Sequence, residues 1–157
     1  MQGTQPRSPG LAARQGVSWR RLPLATLLAV ALAVAANILV YLAATGLGFI
    51  PRDVLLSTPG GEQPLGLTPV IASSAAGVLG AALVFALIGL FARRPVRSFH
   101  FVAAGVLALS FAMPFTIPGA PLEMILSLEA MHVVVWAASV GLLTTLTRRK
   151  RPEGARR

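Results

Sequence analysis

LPLATLLAVALAVAANILVYLAAT, residues 22–45, decides the fold. It holds no Asp, Glu, Lys or Arg. As an α-helix its 24 residues reach about 36 Å, enough to cross a hydrocarbon core of about 30 Å. Lipid offers no hydrogen bonds to the backbone, so a run of this kind must satisfy its own peptide groups as a helix.

Three more apolar runs follow, at about 68–91, 99–116 and 122–146. The third is the shortest and holds Met113-Pro114-Phe115 near its end, where Pro114 is expected to end or kink a helix. The predicted fold class is therefore all-α, an integral membrane four-helix bundle covering residues 19–147. Residues 1–18 are polar, contain Gly and Pro, and read as a disordered tail, while residues 148–157 form a basic tail.

Composition agrees. Of 157 residues, 55% are hydrophobic and only 12% charged, against about a quarter in soluble domains. Mean hydropathy is +0.72. A net charge of +9 would suggest nucleic acid in a soluble chain. Here the bases flank apolar runs without interleaved aromatics, so they read as topology signals, with anionic lipid headgroups as partners and no nucleic acid. The absence of Cys excludes disulfides, thiolate metal sites and cysteine nucleophiles.

The bases also set the orientation. Arg7, Arg14, Arg20 and Arg21 precede the first run, Arg93, Arg94 and Arg97 lie between the second and third, and six bases follow the fourth. Only Arg52 falls on the other side, so thirteen of fourteen bases share one face. The positive-inside rule makes that face cytoplasmic, with four spans and both termini inside, in the inner (plasma) membrane.

Residues 46–67 form the one sizeable external segment. Val54 to Thr58 and Leu65 to Leu67 flank a Pro59-Gly60 turn signal that would suit a short hairpin. An irregular capping loop is the preferred expectation. Ser18-Trp19-Arg20-Arg21-Leu22 resembles a twin-arginine signal, and Ala33-Val34-Ala35 a signal-peptidase site. The apolar run continues past both, so the first helix is expected to be retained, with Trp19 as an interfacial anchor.

Polar residues inside the spans are few. Asn37, Tyr41, Ser73, Ser74, Ser110, Glu129 and His132 all lie on the outer side of their helix midpoints. They form the candidate polar cluster, either as glue between helices or as a small pocket open to the outside. Glu129 and His132 are three residues apart and share a helix face, which predicts a hydrogen-bonded pair near Asn37 or Tyr41. Ser139, Thr144 and Thr145 are expected to bond their own backbone. Ser73, Gly77 and Ala81 make a small-xxx-small stripe suited to close helix packing, within the chain or in a homo-oligomer.

An ExxH pair is half of a di-iron carboxylate motif, but no second half exists, so neither metal nor cofactor is expected. No nucleotide loop, GxSxG elbow or HExxH occurs, and no internal repeat stands out.

Ala36-Asn37-Ile38-Leu39-Val40-Tyr41 in the first span, Arg93-Arg94-Pro95 after the second, Pro114 near the outer end of the third and Met131-His132-Val133-Val134 in the fourth come in a recognisable order. In these features residues 20–147 resemble an uncharacterised family of small four-helix membrane proteins, mostly actinobacterial. The resemblance implies the fold and adds weight to Asn37 and His132, but it implies no activity. The leading functional expectation is a non-enzymatic structural, accessory or partner-binding bundle. The alternative is a small oligomeric transporter or proton-coupled permease using Glu129 and His132.

Overall fold

The computed structural model describes residues 17–58 and 61–148. The expectations for residues 1–16 and 149–157 and for the Pro59-Gly60 turn lie outside them. Four helices dominate: α1 (Leu22–Gly46), α2 (Leu67–Phe91), α3 (Pro95–Ser110) and α4 (Leu122–Leu146). Short 3₁₀ turns at Trp19–Arg21 and Pro114–Thr116 extend α1 and follow α3. All four helical segments are long and apolar enough to cross a membrane. Leu27, Leu39, Leu83, Phe101 and Leu109 stand on their outward faces, as a lipid-solvated exterior requires. The protein is a multi-pass membrane protein.

α1 packs along α2 and α4, and α3 lies against α2 and α4. The closeness of α1 comes from one stripe. Ala25, Ala29 and Ala33 are fully buried and Asn37 is 2% exposed, each four residues after the last. Small side chains on one helix face let backbones approach, which is the main packing device in lipid. Ala29 and Ala33 meet Val78 of α2 and Ala138 of α4 in the middle of the bundle. On α2, a Cβ added at Gly77 would lie 3.0 Å from the Val135 side chain. Gly77 therefore lets α2 approach α4 within the chain, while Ser73 and Ala81 of the same stripe face the cleft described below.

α3 differs from the sequence expectation. It starts at Pro95 rather than residue 99, because proline at the first turn loses no helical hydrogen bond. Its regular α-helix ends at Ser110, and Pro114 opens a 3₁₀ turn that carries the apolar span to Thr116, the end expected from the sequence. Its only buried residues are Pro95 and Phe99, both in its first turns. Phe99 meets Phe85 of α2 edge-to-face, with centroids 4.9 Å apart. α3 is thus anchored at one end and more loosely seated at the other.

The two ends of the bundle are built differently. At the end where α1 begins and α4 ends, the Ser18 amide donates to the Thr147 carbonyl at 2.9 Å, and Val17 bridges to Arg148. Val17 is buried with Leu143 and Val140. These two residues, counted with the disordered tail in the sequence reading, instead clasp the start of α1 to the end of α4. At the opposite end, α1 stops in a Schellman turn: Gly48 has φ +76°, and the Phe49 amide reaches the Ala44 carbonyl at 2.8 Å. The segment beyond is not the irregular loop expected. Strands β1 (Leu55–Thr58) and β2 (Gly61–Pro64) pair antiparallel, with Leu55 opposite Pro64 and Thr58 opposite Gly61. Ile50, Val54 and Leu65, which flank this hairpin, are buried with Met124 and Met131 of α4. That burial, rather than strand propensity, seats a hairpin this short.

Candidate functional site

Asn37 is the polar centre of the bundle. Its Nδ2 donates to Ser74 Oγ of α2 at 2.8 Å and to the Met131 carbonyl of α4 at 3.3 Å. A carbonyl only accepts, so the nitrogen must face Met131. Ser74 in turn donates to the Val70 carbonyl at 2.6 Å. One amide thereby ties three helices together in apolar surroundings. Asn37 Oδ1 is buried and has no partner among the described residues.

Beside Asn37 lies a cleft of about 410 Å³ between α2, α3 and α4. Beyond Phe99, none of the α3 residues that line it is buried. Phe99, Val102, Val106 and Ser110 form the α3 wall, and Leu128, His132, Trp136 and Val140 the facing wall of α4. Leu128 and Val140 are twelve residues apart, about 18 Å along the helix. A volume of this size spread over that length is a slot rather than a chamber. Its wall is mainly apolar, and His132 is its one ionisable side chain among the described residues.

The structure brings five of the seven predicted polar residues to this cleft: Asn37, Ser73, Ser74, Ser110 and His132. Ser73 and Ser110 bond the carbonyls of Val70 and Leu107 on their own helices. Their hydrogens are committed, so their oxygens can only accept. The other two lie off the wall. Tyr41 donates to the Leu65 carbonyl at 3.3 Å and fastens α1 to the end of the hairpin. Glu129 has both carboxylate oxygens buried without a hydrogen-bond partner among the described residues, and it does not line the cleft.

The hydrogen-bonded Glu129–His132 pair expected from the spacing is absent. His132 Nδ1 instead donates to the Leu128 carbonyl one turn back, at 2.8 Å. Residues three apart sit about 60° apart around a helix, and the imidazole has taken the nearer backbone acceptor. With Nδ1 donating, the neutral ring keeps Nε2 as an acceptor. Neither side chain bonds Asn37 or Tyr41. The α4 contact to Asn37 is the carbonyl of Met131, which no side-chain pattern reveals.

Two further polar residues outside the expected cluster belong to the cleft. Trp136 Nε1 and Ser139 Oγ are buried without partners among the described residues, and both residues line the slot. Ser139 was expected to satisfy itself on its own backbone, as Thr144 and Thr145 do, but it does not. Trp136 carried a signal: tryptophans in membrane proteins gather at the interfaces, and this one stands near mid-span.

A family model described as a family of unknown function (DUF6069) matches residues 17–152, in line with the resemblance read from the sequence. No curated protein and no solved structure matches the chain.

Proposed function

Because the chain belongs to that family of unknown function, we propose a role from its own geometry: it is a non-enzymatic membrane bundle that holds an apolar molecule in the α2–α3–α4 cleft. The observation that carries the reading is the slot of about 410 Å³, within the roughly 300–1,000 Å³ of small-molecule sites. Its wall combines apolar side chains with a few polar atoms, the usual make-up of such a site. The loosely seated end of α3 supports lateral access from the bilayer.

The distribution of bases supports the orientation. Arg20, Arg21, Arg93, Arg94, Arg97 and Arg148 are exposed at the end where α1 begins and α4 ends. On the positive-inside rule that end faces the cytoplasm of a bacterial cell, against anionic headgroups, and the hairpin faces outward. Proton-coupled transport has less support, because the Glu129 carboxylate is not part of the cleft wall.

The chain has two tryptophans, so Trp19→Phe leaves Trp136 as a single reporter in the slot. In nanodiscs, brominated dodecane should quench it saturably if the slot binds it. Quenching that only rises in proportion to the quencher in the bilayer would show no site.

A further inference from the structure

Resting on the binding reading above, we infer that the ligand is an uncharged amphiphile with a hydroxyl head, its chain lying along the apolar wall toward Phe99. The inference comes from counting what each polar atom on the slot can still do. Asn37 is 2% exposed, and its Nδ2 is fully used by Ser74 and Met131. Its Oδ1 is left as a buried acceptor without a donor. Ser73 and Ser110 have given their hydrogens to their own helices and can only accept. His132 has given its Nδ1 hydrogen to Leu128, and Nε2 of the neutral ring accepts. The half of the slot nearer the hairpin is therefore a set of acceptors waiting for a donor.

The opposite need sits deeper. Trp136 Nε1 is a donor only, is buried, and has no acceptor among the described residues. Ser139, 2% exposed, has a hydroxyl with no partner among them. A hydroxyl group can both donate and accept, so it can serve either need. An alkane meets neither, and an ether meets only the second. A carboxylate or phosphate brings no donor and would be buried opposite no Lys or Arg in the wall. The chemistry selected is an uncharged head that both donates and accepts, of which an alcohol on a chain is the simplest.

The test uses full-length Trp19→Phe protein in nanodiscs, with brominated dodecane bound and Trp136 quenched. The competitors are dodecane, 1-dodecanol, dodecyl methyl ether and dodecanoate. Expected is displacement by 1-dodecanol at a concentration about tenfold below dodecane, the effect of one well-made buried hydrogen bond. The ether should fall between them and dodecanoate should be weaker than the alcohol. Asn37 also ties three helices together, so the cleaner variant is His132→Phe, whose only bond is to its own backbone. It should narrow the alcohol-to-alkane ratio. A carboxylate equal to the alcohol would overturn the inference. So would an alcohol no better than the alkane, the result expected if water satisfies these atoms. Either result leaves apolar binding standing. No saturable quenching by brominated dodecane would remove both the binding reading and this inference.

Discussion

Asn37 donates a 2.8 Å hydrogen bond to Ser74 across the α1–α2 interface, and the same amide reaches the Met131 backbone of α4. In lipid there is no hydrophobic drive to bring helices together, so contacts of this kind and close packing must do it. Polar glue and pocket, posed as alternatives by the sequence, meet in this residue: one end of the amide joins helices, and Asn37 also lines the cleft.

The bond should be measurable as a coupling. In an Asn37→Ala/Ser74→Ala double-mutant cycle, reversible unfolding in mixed micelles should give an interaction energy of about 0.6 kcal/mol, and at most about 1.7, the range for interhelical hydrogen bonds in membranes. Asn37→Ala alone should cost more, because it also frees the Met131 carbonyl. Strictly additive single-mutant effects would mean that the bond contributes nothing.

Ala33 sits at zero exposure where α1 crosses Val78 and Ala138. Ala33→Leu should destabilise the bundle by about 1–3 kcal/mol or more, the usual effect of overpacking a filled site. The neighbouring Ala31→Leu, on an exposed position of α1, should be neutral. Equal unfolding midpoints for the two variants would contradict the packing of α1. The same stripe makes α1 indispensable to the core, so intact mass should show it retained rather than cut after Ala35.

Phe99 is 1% exposed and holds the anchored end of α3 against Phe85. Phe99→Ala should cost roughly 3 kcal/mol, at the low end for a buried Phe. Because the loss falls on α3, limited proteolysis of the α2–α3 turn should speed up before global unfolding. Cleavage at the wild-type rate would show that α3 is held elsewhere.

Much of this architecture was legible in the sequence, and the reason is lipid. A bilayer forces each span into a helix of nearly fixed length, so apolar run length and charge position are enough to find four helices. The short elements were less visible. The hairpin depends on the burial of Ile50, Val54 and Leu65 on α4, which is a tertiary fact. Val17 and Ser18 read as tail because their partners, Thr147 and Arg148, lie at the far end of the chain. Depth alone gathered Asn37, Ser73, Ser74, Ser110 and His132, since polar groups in a membrane share a layer. It could not give azimuth, so Glu129 and Tyr41 were grouped with a cleft they do not line. The slot itself depends on how α3 sits against its neighbours, and no periodicity reports that.

Orientation can be read directly. Glu62 lies exposed on the hairpin and Arg93 exposed in the α2–α3 turn. In a chain without native Cys, Glu62→Cys should react with an impermeant thiol reagent on intact cells, and Arg93→Cys only after permeabilisation. The reverse labelling would invert the topology and place the termini outside.

Gly80 offers the most direct test of the cleft. It lines the slot, and a Cβ added there meets nothing within 4 Å. Gly80→Leu should therefore fill the cavity without disturbing the helices, and should raise the helix propensity of α2 as well. The measurement is Trp136 quenching by brominated dodecane in the Trp19→Phe background, with and without Gly80→Leu, alongside thermal unfolding of both proteins. The expected result is loss of the saturable quenching in Gly80→Leu with an unfolding midpoint equal to or above the parent's. Saturable quenching of the same affinity in both proteins would contradict a ligand site between α2, α3 and α4.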